Sequence, residues 1–336
     1  MLNPVLVEVT RGARVESRHR GAVAVVDADG KTVLAVGDIS TPVYPRSAVK
    51  ALQALVMVES GAADRFGFGD EELALACASH GGEPAHVDGV ARMLERAGLT
   101  RAALVCGTHW PMHQPSAHAL ARSGGEATAL HNNCSGKHAG FVCAACALNV
   151  DHRGYVDPGH LVQREIKARL EQLIGAAIGD DYRAVDGCSV PTWAVSPYNQ
   201  ALAFARFATE RGLSPERAKA ARRLIKACAA KPWFVAGTGR FCTGVMEHFR
   251  ERVFVKTGAE GVFCGALPGI GLGIAVKCDD GGGRAAEVAM AAMIARFLPL
   301  DDRDRIALDR FLRPTLRNWN GIVVGKIAPT SELLPS

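Results

Sequence analysis

Short apolar runs at both ends of the chain predict strands. Val5 to Val9 shows the alternation of apolar and polar positions of a half-buried strand. Ala22 to Val26 and Thr32 to Val36 flank Asp29-Gly30, a pair that favours a tight hairpin turn. Three further β-prone runs, separated by Gly and Pro turns, follow late in the chain: Arg252 to Lys256, Gly261 to Ala266 and Gly273 to Lys277.

The middle of the chain has the spacing of helices. Pro45 precedes a stretch in which Leu52, Leu55 and Val56 would share one buried face. A long Ala/Met-rich helix is predicted from Ala285 to Leu298. Five other segments are predicted as helices: Glu83 to Ala97, His138 to Leu148, His160 to Ile174, Pro197 to Arg211 and Pro215 to Ala229.

Strands at both ends with helices between them predict an α+β fold. We expect an antiparallel sheet formed by both termini, with helices on its faces and a helical lobe. The sheet would come from about residues 1–45 and 250–336, the helical region from about 46–249, and 1–336 would form a single domain. Asn318 to Gly321 reads as a turn, and Ile322 to Val324 as an edge strand.

The composition is that of an ordinary globular protein. Of the 336 residues, 48% are apolar and 22% charged, and the net charge of +5 is scattered, so no nucleic-acid partner and no membrane surface are expected. The longest uncharged apolar run, Ala139 to Val150, is too short to span a bilayer. Ten cysteines without a visible secretory leader predict reduced thiols and a cytoplasmic location.

The first chemical motif is Ser47-x-x-Lys50 at the start of a predicted helix. A serine hydroxyl becomes an effective nucleophile when a neighbouring base takes its proton, and a buried lysine is one such base. On a helix, residues three apart share one face. Alone, the motif is weak, and it favours a helix cap followed by a surface lysine.

Two later motifs strengthen the catalytic interpretation. Ser79-His80-Gly81 follows an apolar run, and Lys256-Thr257-Gly258 ends a predicted strand. This order is the layout of serine β-lactamases and penicillin-binding proteins, with Ser79-His80-Gly81 in place of their S-D-N element. The pattern therefore favours that architecture more than it favours β-lactam chemistry.

Cysteine and lysine are concentrated in a second region. Cys134 and Lys137 lie just before an apolar helix, and Cys188 lies in a turn-rich segment. The spacing permits a zinc site but also fits two unconnected loop thiols. The one C-x-x-C pair, Cys143 and Cys146, lies in an apolar run and is interpreted as part of the core.

Taken together, these motifs resemble those of the zinc-containing, rhizobial-type (class 3) L-asparaginases. The resemblance extends from about Val9 to Asp280. It rests on five motifs in the expected order: Arg46-Ser47-x-x-Lys50, Cys77-Ala78-Ser79-His80, Asn133-Cys134-Ser135-Gly136-Lys137-His138, Asp186-Gly187-Cys188 and Gly237-Thr238-Gly239-Arg240.

The resemblance implies a fold related to serine β-lactamases and glutaminases, and a homodimer. It implies two Ser-Lys tandems, Ser47 with Lys50 and Ser79 with Lys256. It also implies a Zn²⁺ site, with a water beside Asp186. The expected zinc ligands are Cys134, Lys137 and Cys188. The residues expected to hold the substrate carboxylate or line the pocket are Arg46, His138 and Arg240.

The expected activity is hydrolysis of L-asparagine to L-aspartate and ammonia. Ser47 would attack, with Lys50 as general base, although Ser79 remains an alternative nucleophile. Three other functions stay open: a glutaminase, a β-lactamase or D,D-peptidase, and an inactive zinc-binding sensor or scaffold.

Overall fold

The computed structural model describes residues 2–334. Within that range the chain forms ten strands. They are β1 (Val5–Arg11), β2 (Arg14–Asp27), β3 (Thr32–Val36), β4 (Arg183–Val185), β5 (Pro191–Trp193), β6 (Phe254–Thr257), β7 (Val262–Leu267), β8 (Leu272–Cys278), β9 (Thr315–Arg317) and β10 (Val323–Pro329).

Thirteen α-helices lie in the same described range. They are α1 (Lys50–Glu59), α2 (Ala62–Arg65), α3 (Asp70–Ala76), α4 (Pro84–Arg96), α5 (Gln114–Arg122), α6 (Ser135–Ala147), α7 (Leu161–Ile174), α8 (Pro197–Thr209), α9 (Pro215–Ala230), α10 (Pro232–Ala236), α11 (Phe241–Phe249), α12 (Gly283–Phe297) and α13 (Asp302–Leu312). No helix of residues 2–334 is both long and apolar enough to cross a membrane.

The chain divides into two compact units. The first contains residues 1–48, 195–211 and 248–336, and the second contains residues 49–194 and 212–247. The first unit therefore carries the large sheet, and the second carries most of the helices. The prediction of a single domain over 1–336 stays a prediction.

The first unit is built on an antiparallel sheet drawn from both ends of the chain. Its strands follow the order β6-β7-β8-β2-β1-β10-β9, and β3 pairs with β2 beside this path. Val26 pairs with Thr32 across the turn at Asp29-Gly30, which confirms the predicted hairpin. The α+β class and the antiparallel sheet from both termini are thus confirmed.

Helices cover both faces of this sheet. A Cβ at Gly265 of β7 would meet Met290 of α12, whereas one at Gly273 of β8 would collide with the backbone of Ala201 in α8. Gly265 pairs with Ile274, so these two residues face the same side of the sheet. Gly273 precedes Ile274 in β8 and therefore faces the opposite side of the sheet. At Gly273 the absence of a side chain lets α8 lie directly against the sheet.

The end of the chain departs from the predicted arrangement. Val323 to Pro329 forms β10, which lies between β1 and β9 rather than at the edge. The edge is β9, whose three residues are too few to show a strand period in the sequence. Helix α13 was also missed, since its residues are mostly charged.

The second unit is organised around α6. Residues 135–145 of this helix are all buried, as expected of a helix that is apolar on every side. Helices α1, α3, α4 and α7 contact it, and α1 and α3 also contact α9. The buried face predicted for α1 is confirmed, since Leu52, Leu55 and Val56 are fully buried.

Candidate active site

Lys50 lies in the interior of the second unit. It begins α1, directly after the 3-10 turn Arg46–Val49, and its side chain is fully buried. Its Nζ atom lies 2.6 Å from the Ala78 carbonyl oxygen, 2.9 Å from Ser79 Oγ and 3.1 Å from Cys134 Sγ. The alternative interpretation of Lys50 as a surface lysine is therefore wrong.

These contacts suit a lysine that exchanges a proton. A neutral amine has two N–H donors and one lone pair, whereas an ammonium has three donors. The Ala78 carbonyl and Cys134 Sγ can accept two N–H bonds, and Ser79 Oγ can either accept the third or donate its own proton.

Ser79 is held in the loop that follows α3. Its N–H donates to the Val235 carbonyl at 2.9 Å, and its side chain is buried. The next residue, His80, accepts a bond from the Gly82 N–H at Nδ1, so Nε2 carries the proton that is donated to Ser135 Oγ. Burial lowers the pKa of His80 well below its usual value, so this histidine is a neutral support of the loop.

Cys134, Lys137 and Cys188 come together although more than fifty residues separate the first from the last. Cys134 immediately precedes α6, and Lys137 lies within the first turn of that helix. Cys188 lies on the turn that joins β4 to β5, 3.0 Å from Lys137 Nζ. All three are buried, and both cysteines are free thiols.

Burial, hydrogen bonds and neighbouring charges shift the pKa values of the three side chains in this cluster. The hydrogen bond from Cys188 and the positive charges of Lys50 and Lys137 hold the pKa of Cys134 well below its usual value despite burial. The bond to Cys134 together with burial raises the pKa of Cys188. Burial alone would lower the pKa of Lys137, but the charges of Cys188, Cys134 and Asp186 raise it.

Asp186 is at the start of the same turn. Its Oδ2 lies 3.7 Å from Cys188 Sγ, and its Oδ1 accepts the Gly187 N–H at 2.8 Å. Within residues 2–334, no group of three or more His, Cys, Asp and Glu side chains is arranged to hold a metal ion. The predicted zinc set contains two residues of these types and one lysine.

His138 is fully buried next to this cluster. Tyr155 Oη accepts the Val105 N–H and is hydrogen-bonded to His138 Nδ1 at 2.6 Å. The other ring nitrogen of His138, Nε2, has no hydrogen-bond partner among the described residues. Burial, followed by the charges of Lys137 and Lys50, lowers its pKa well below the usual value. Nothing in the sequence around Tyr155 signalled this role.

Arg240 follows a glycine-rich loop in the second unit and is half-buried. Arg46, Ser47 and Lys256 belong to the first unit. Ser47 is half-buried in the 3-10 turn, next to Arg46, whose backbone has the left-handed φ of +51°. Lys256 is buried in β6, and its Nζ donates to the Thr257 carbonyl at 2.9 Å. The two Ser-Lys tandems stay predictions.

An apolar groove of about 490 Å³ lies between α4 and α5. Pro84, Val87, Pro111 and Leu120 contribute to its wall. Of the described residues that line it, none belongs to the predicted site. The groove is thus separate from the cluster around Lys50.

A buried lysine bonded to a serine is an arrangement that serine hydrolases use to activate a hydroxyl. The chain belongs to the L-asparaginase II family, whose model matches residues 7–329. No curated protein matches the chain.

Two solved structures are similar over most of the chain. A β-lactamase from Mycobacterium bovis aligns with 15% identity and a TM-score of 0.36, covering 79% of this chain and 89% of its own. A protein named Mglu aligns with 18% identity and a TM-score of 0.37, covering 84% of this chain and 69% of its own.

Proposed function

We propose that the protein hydrolyses the side-chain amide of L-asparagine to L-aspartate and ammonia. Membership of the L-asparaginase II family supports this substrate. The observation that carries the proposal is the 2.9 Å contact between the buried Lys50 Nζ and Ser79 Oγ, because it gives Lys50 a partner with which to exchange a proton.

In the proposed reaction, Ser47 Oγ attacks the amide carbon while Lys50 removes its proton. Backbone N–H groups stabilise the tetrahedral oxyanion. The C–N bond then breaks, and ammonia leaves with the proton. Water hydrolyses the resulting β-aspartyl ester, releasing L-aspartate and restoring the serine, and Ser79 and Lys256 relay protons. The contact of Ser79 with Lys50 keeps Ser79 as the alternative nucleophile.

Substrate recognition is assigned to cationic and hydrogen-bonding groups. Arg46 and Arg240 would bind the substrate carboxylate, since guanidinium groups pair with carboxylates through two parallel bonds. The unpartnered Nε2 of buried His138 supports a hydrogen bond from this ring to bound substrate or water. We also propose that the protein is cytoplasmic and forms a homodimer. The dimer is tested by measuring the mass in solution, which should be twice the 35.5 kDa of one chain.

The same proposal includes a zinc ion bound by Cys134, Lys137 and Cys188. The donor types suit this ion, because zinc binds thiolate sulfur and amine or imidazole nitrogen, and Lys137 Nζ lies 3.0 Å from Cys188 Sγ. Asp186 would lie beside a water on the ion. Zinc there would supply positive charge and would fix the positions of its ligands.

Ammonia release from L-asparagine tests the activity. The purified protein is assayed on L-asparagine and L-glutamine with and without a chelator, alongside metal analysis and a nitrocefin assay. Faster release from asparagine supports the proposal. A preference for glutamine would identify a glutaminase, and cleavage of nitrocefin would identify a β-lactamase. Tight zinc binding without amide hydrolysis would indicate a sensor or scaffold.

The Ser47→Ala variant tests the nucleophile. We expect it to lose turnover while its circular dichroism and melting temperature stay close to wild type, since Ser47 is only half-buried. Ser79→Ala is the parallel variant, and mass spectrometry of the trapped ester identifies the acylated serine. Full activity of Ser47→Ala would remove Ser47 from this role.

A further inference from the structure

Glu83 is a buried carboxylate that joins two loops of the second unit. It precedes the first turn of α4, and only 7% of its surface is exposed. Its Oε1 accepts the Thr238 N–H at 2.8 Å, and its Oε2 accepts the Thr238 hydroxyl at 2.7 Å. One side chain therefore accepts from both hydrogen-bond donors of Thr238. Hydrogen bonds to a carboxylate are among the stronger ones in proteins.

The backbone of the second loop is shaped to permit this contact. Gly237 has φ +106°, and a Cβ added there would lie 2.5 Å from Glu83 Oε1 and 3.3 Å from the Gly81 nitrogen. The Gly237 carbonyl accepts the Thr243 hydroxyl at 2.7 Å. Any residue larger than glycine would push the loop away from Glu83.

Helix α10, which precedes the second loop, makes two further bonds. Trp233 Nε1 donates to Thr238 Oγ1 at 2.9 Å, and the N–H of Ser79 donates to the Val235 carbonyl. Ser79 and Glu83 belong to one loop, whereas Thr238 and Arg240 belong to the other. Glu83 therefore links the loop that carries Arg240 to the loop that carries Ser79.

We propose that Glu83 is a positioning residue, which holds the Gly237–Arg240 loop so that Arg240 meets the substrate carboxylate. This rests on the proposed asparaginase function. Because a carboxylate contact is made equally in the bound substrate and in the transition state, its loss raises KM and leaves kcat nearly unchanged. A merely structural role would instead lower the folded fraction without this split.

Kinetics of matched variants test the inference. Glu83→Ala should raise KM for L-asparagine by about tenfold and change kcat by less than about threefold. Thr238→Val, which removes the hydroxyl, should raise KM by a smaller factor. Thr238→Ser, which retains the hydroxyl, should have the wild-type KM. The control is Glu95→Ala, an exposed glutamate on the same helix. Unchanged KM in both Glu83→Ala and Thr238→Val would overturn the inference.

Fluorescence separates this inference from the proposed function. The emission of Trp233, obtained as the difference from matched Trp233→Phe variants, reports the bond to Thr238. It should shift in Glu83→Gln, which keeps the shape of the side chain and serves if Glu83→Ala does not fold. If wild type releases no ammonia from asparagine, the proposed function fails. In that case a shift of the Trp233 emission would still support the hold of Glu83 on the Gly237–Arg240 loop, and unchanged emission would overturn that hold too.

Discussion

At the scale of the residue, burial decides what a short motif means. Lys50 has the spacing of a helix-cap motif, yet its Nζ is enclosed by the Ala78 carbonyl, Ser79 Oγ and Cys134 Sγ. A lysine is seldom fully buried unless partners satisfy its nitrogen. The environment of Lys50 is therefore the strongest sign of chemistry in the second unit.

Lys50→Met should abolish most activity. Methionine fills similar space but cannot accept or return a proton, so we expect kcat to fall by about 10²–10⁴-fold. The control is Lys231→Met, which alters a partly exposed lysine paired with Glu71 and should leave kcat unchanged. Near-normal kcat in folded Lys50→Met would exclude Lys50 as the general base.

Metal content tests the thiol cluster. Cys188→Ala removes one of three proposed ligands, so zinc per chain should fall from about one to a small fraction of that value. Cys143→Ala, which alters a fully buried cysteine of the C-x-x-C pair, should keep its zinc. Plasma mass spectrometry after dialysis measures both variants. Equal zinc in Cys188→Ala and wild type would argue against the ligand set.

At the scale of the element, the close approach of α3 and α6 shapes the cluster. A Cβ on Gly136 would collide with the carbonyl of Leu75, near the end of α3. This glycine lies between Cys134 and Lys137, and Ser79 lies three residues beyond α3. The contact therefore sets the distance between the loop of Ser79 and the residues at the start of α6.

Gly136→Ala should destabilise the fold and disturb the cluster. Overpacking at this contact is expected to lower the free energy of unfolding by about 1–3 kcal/mol, and zinc content should fall because Lys137 is displaced. Gly283→Ala is the control, since a Cβ at that position of α12 meets nothing within 4 Å. Urea unfolding compares the two, and equal stability would show that α3 and α6 separate easily.

At the scale of the whole molecule, the first unit depends on a sheet assembled from both ends of the chain. Helix α13 is tied to the residues before β6 through Asp304. That carboxylate accepts bonds from His248 Nε2 and from two nitrogens of Arg252. The bonds from Arg252, followed by that from His248, lower the pKa of Asp304 below its usual value.

Acid should remove this stabilisation. Because the pKa is lowered by folding, the contribution of Asp304 is complete above the ordinary carboxyl pKa of about 3.9 and is lost as the pH falls through the lower folded value. Asp304→Asn should thus be less stable than wild type near neutral pH, and the difference should shrink below about pH 4. Urea midpoints across pH measure it, with Asp309→Asn as an exposed control. A difference that does not depend on pH would contradict the assignment.

Much of the architecture was predictable from local patterns. The hairpin of β2 and β3 was predicted from Asp29-Gly30. Helices α8 and α9 begin at the predicted prolines, and α4 begins one residue after the predicted start at Glu83. Strand β9 and helix α13 were not predicted, because the first is too short and the second too charged for their periodicity to stand out. The bond between Glu83 and Thr238 joins positions 155 residues apart, a pairing that no local pattern shows.

The sequence by itself determined the strand-forming ends, the helical middle and the residue types available for chemistry, since these depend on local spacing and on side-chain identity. Only the tertiary structure decided that Lys50 is buried against Ser79 and that Cys134, Lys137 and Cys188 meet. The reason is physical: α1, α3, α6 and the β4–β5 turn are brought together by packing, and distances between residues far apart in the chain are set by which apolar surfaces are buried together.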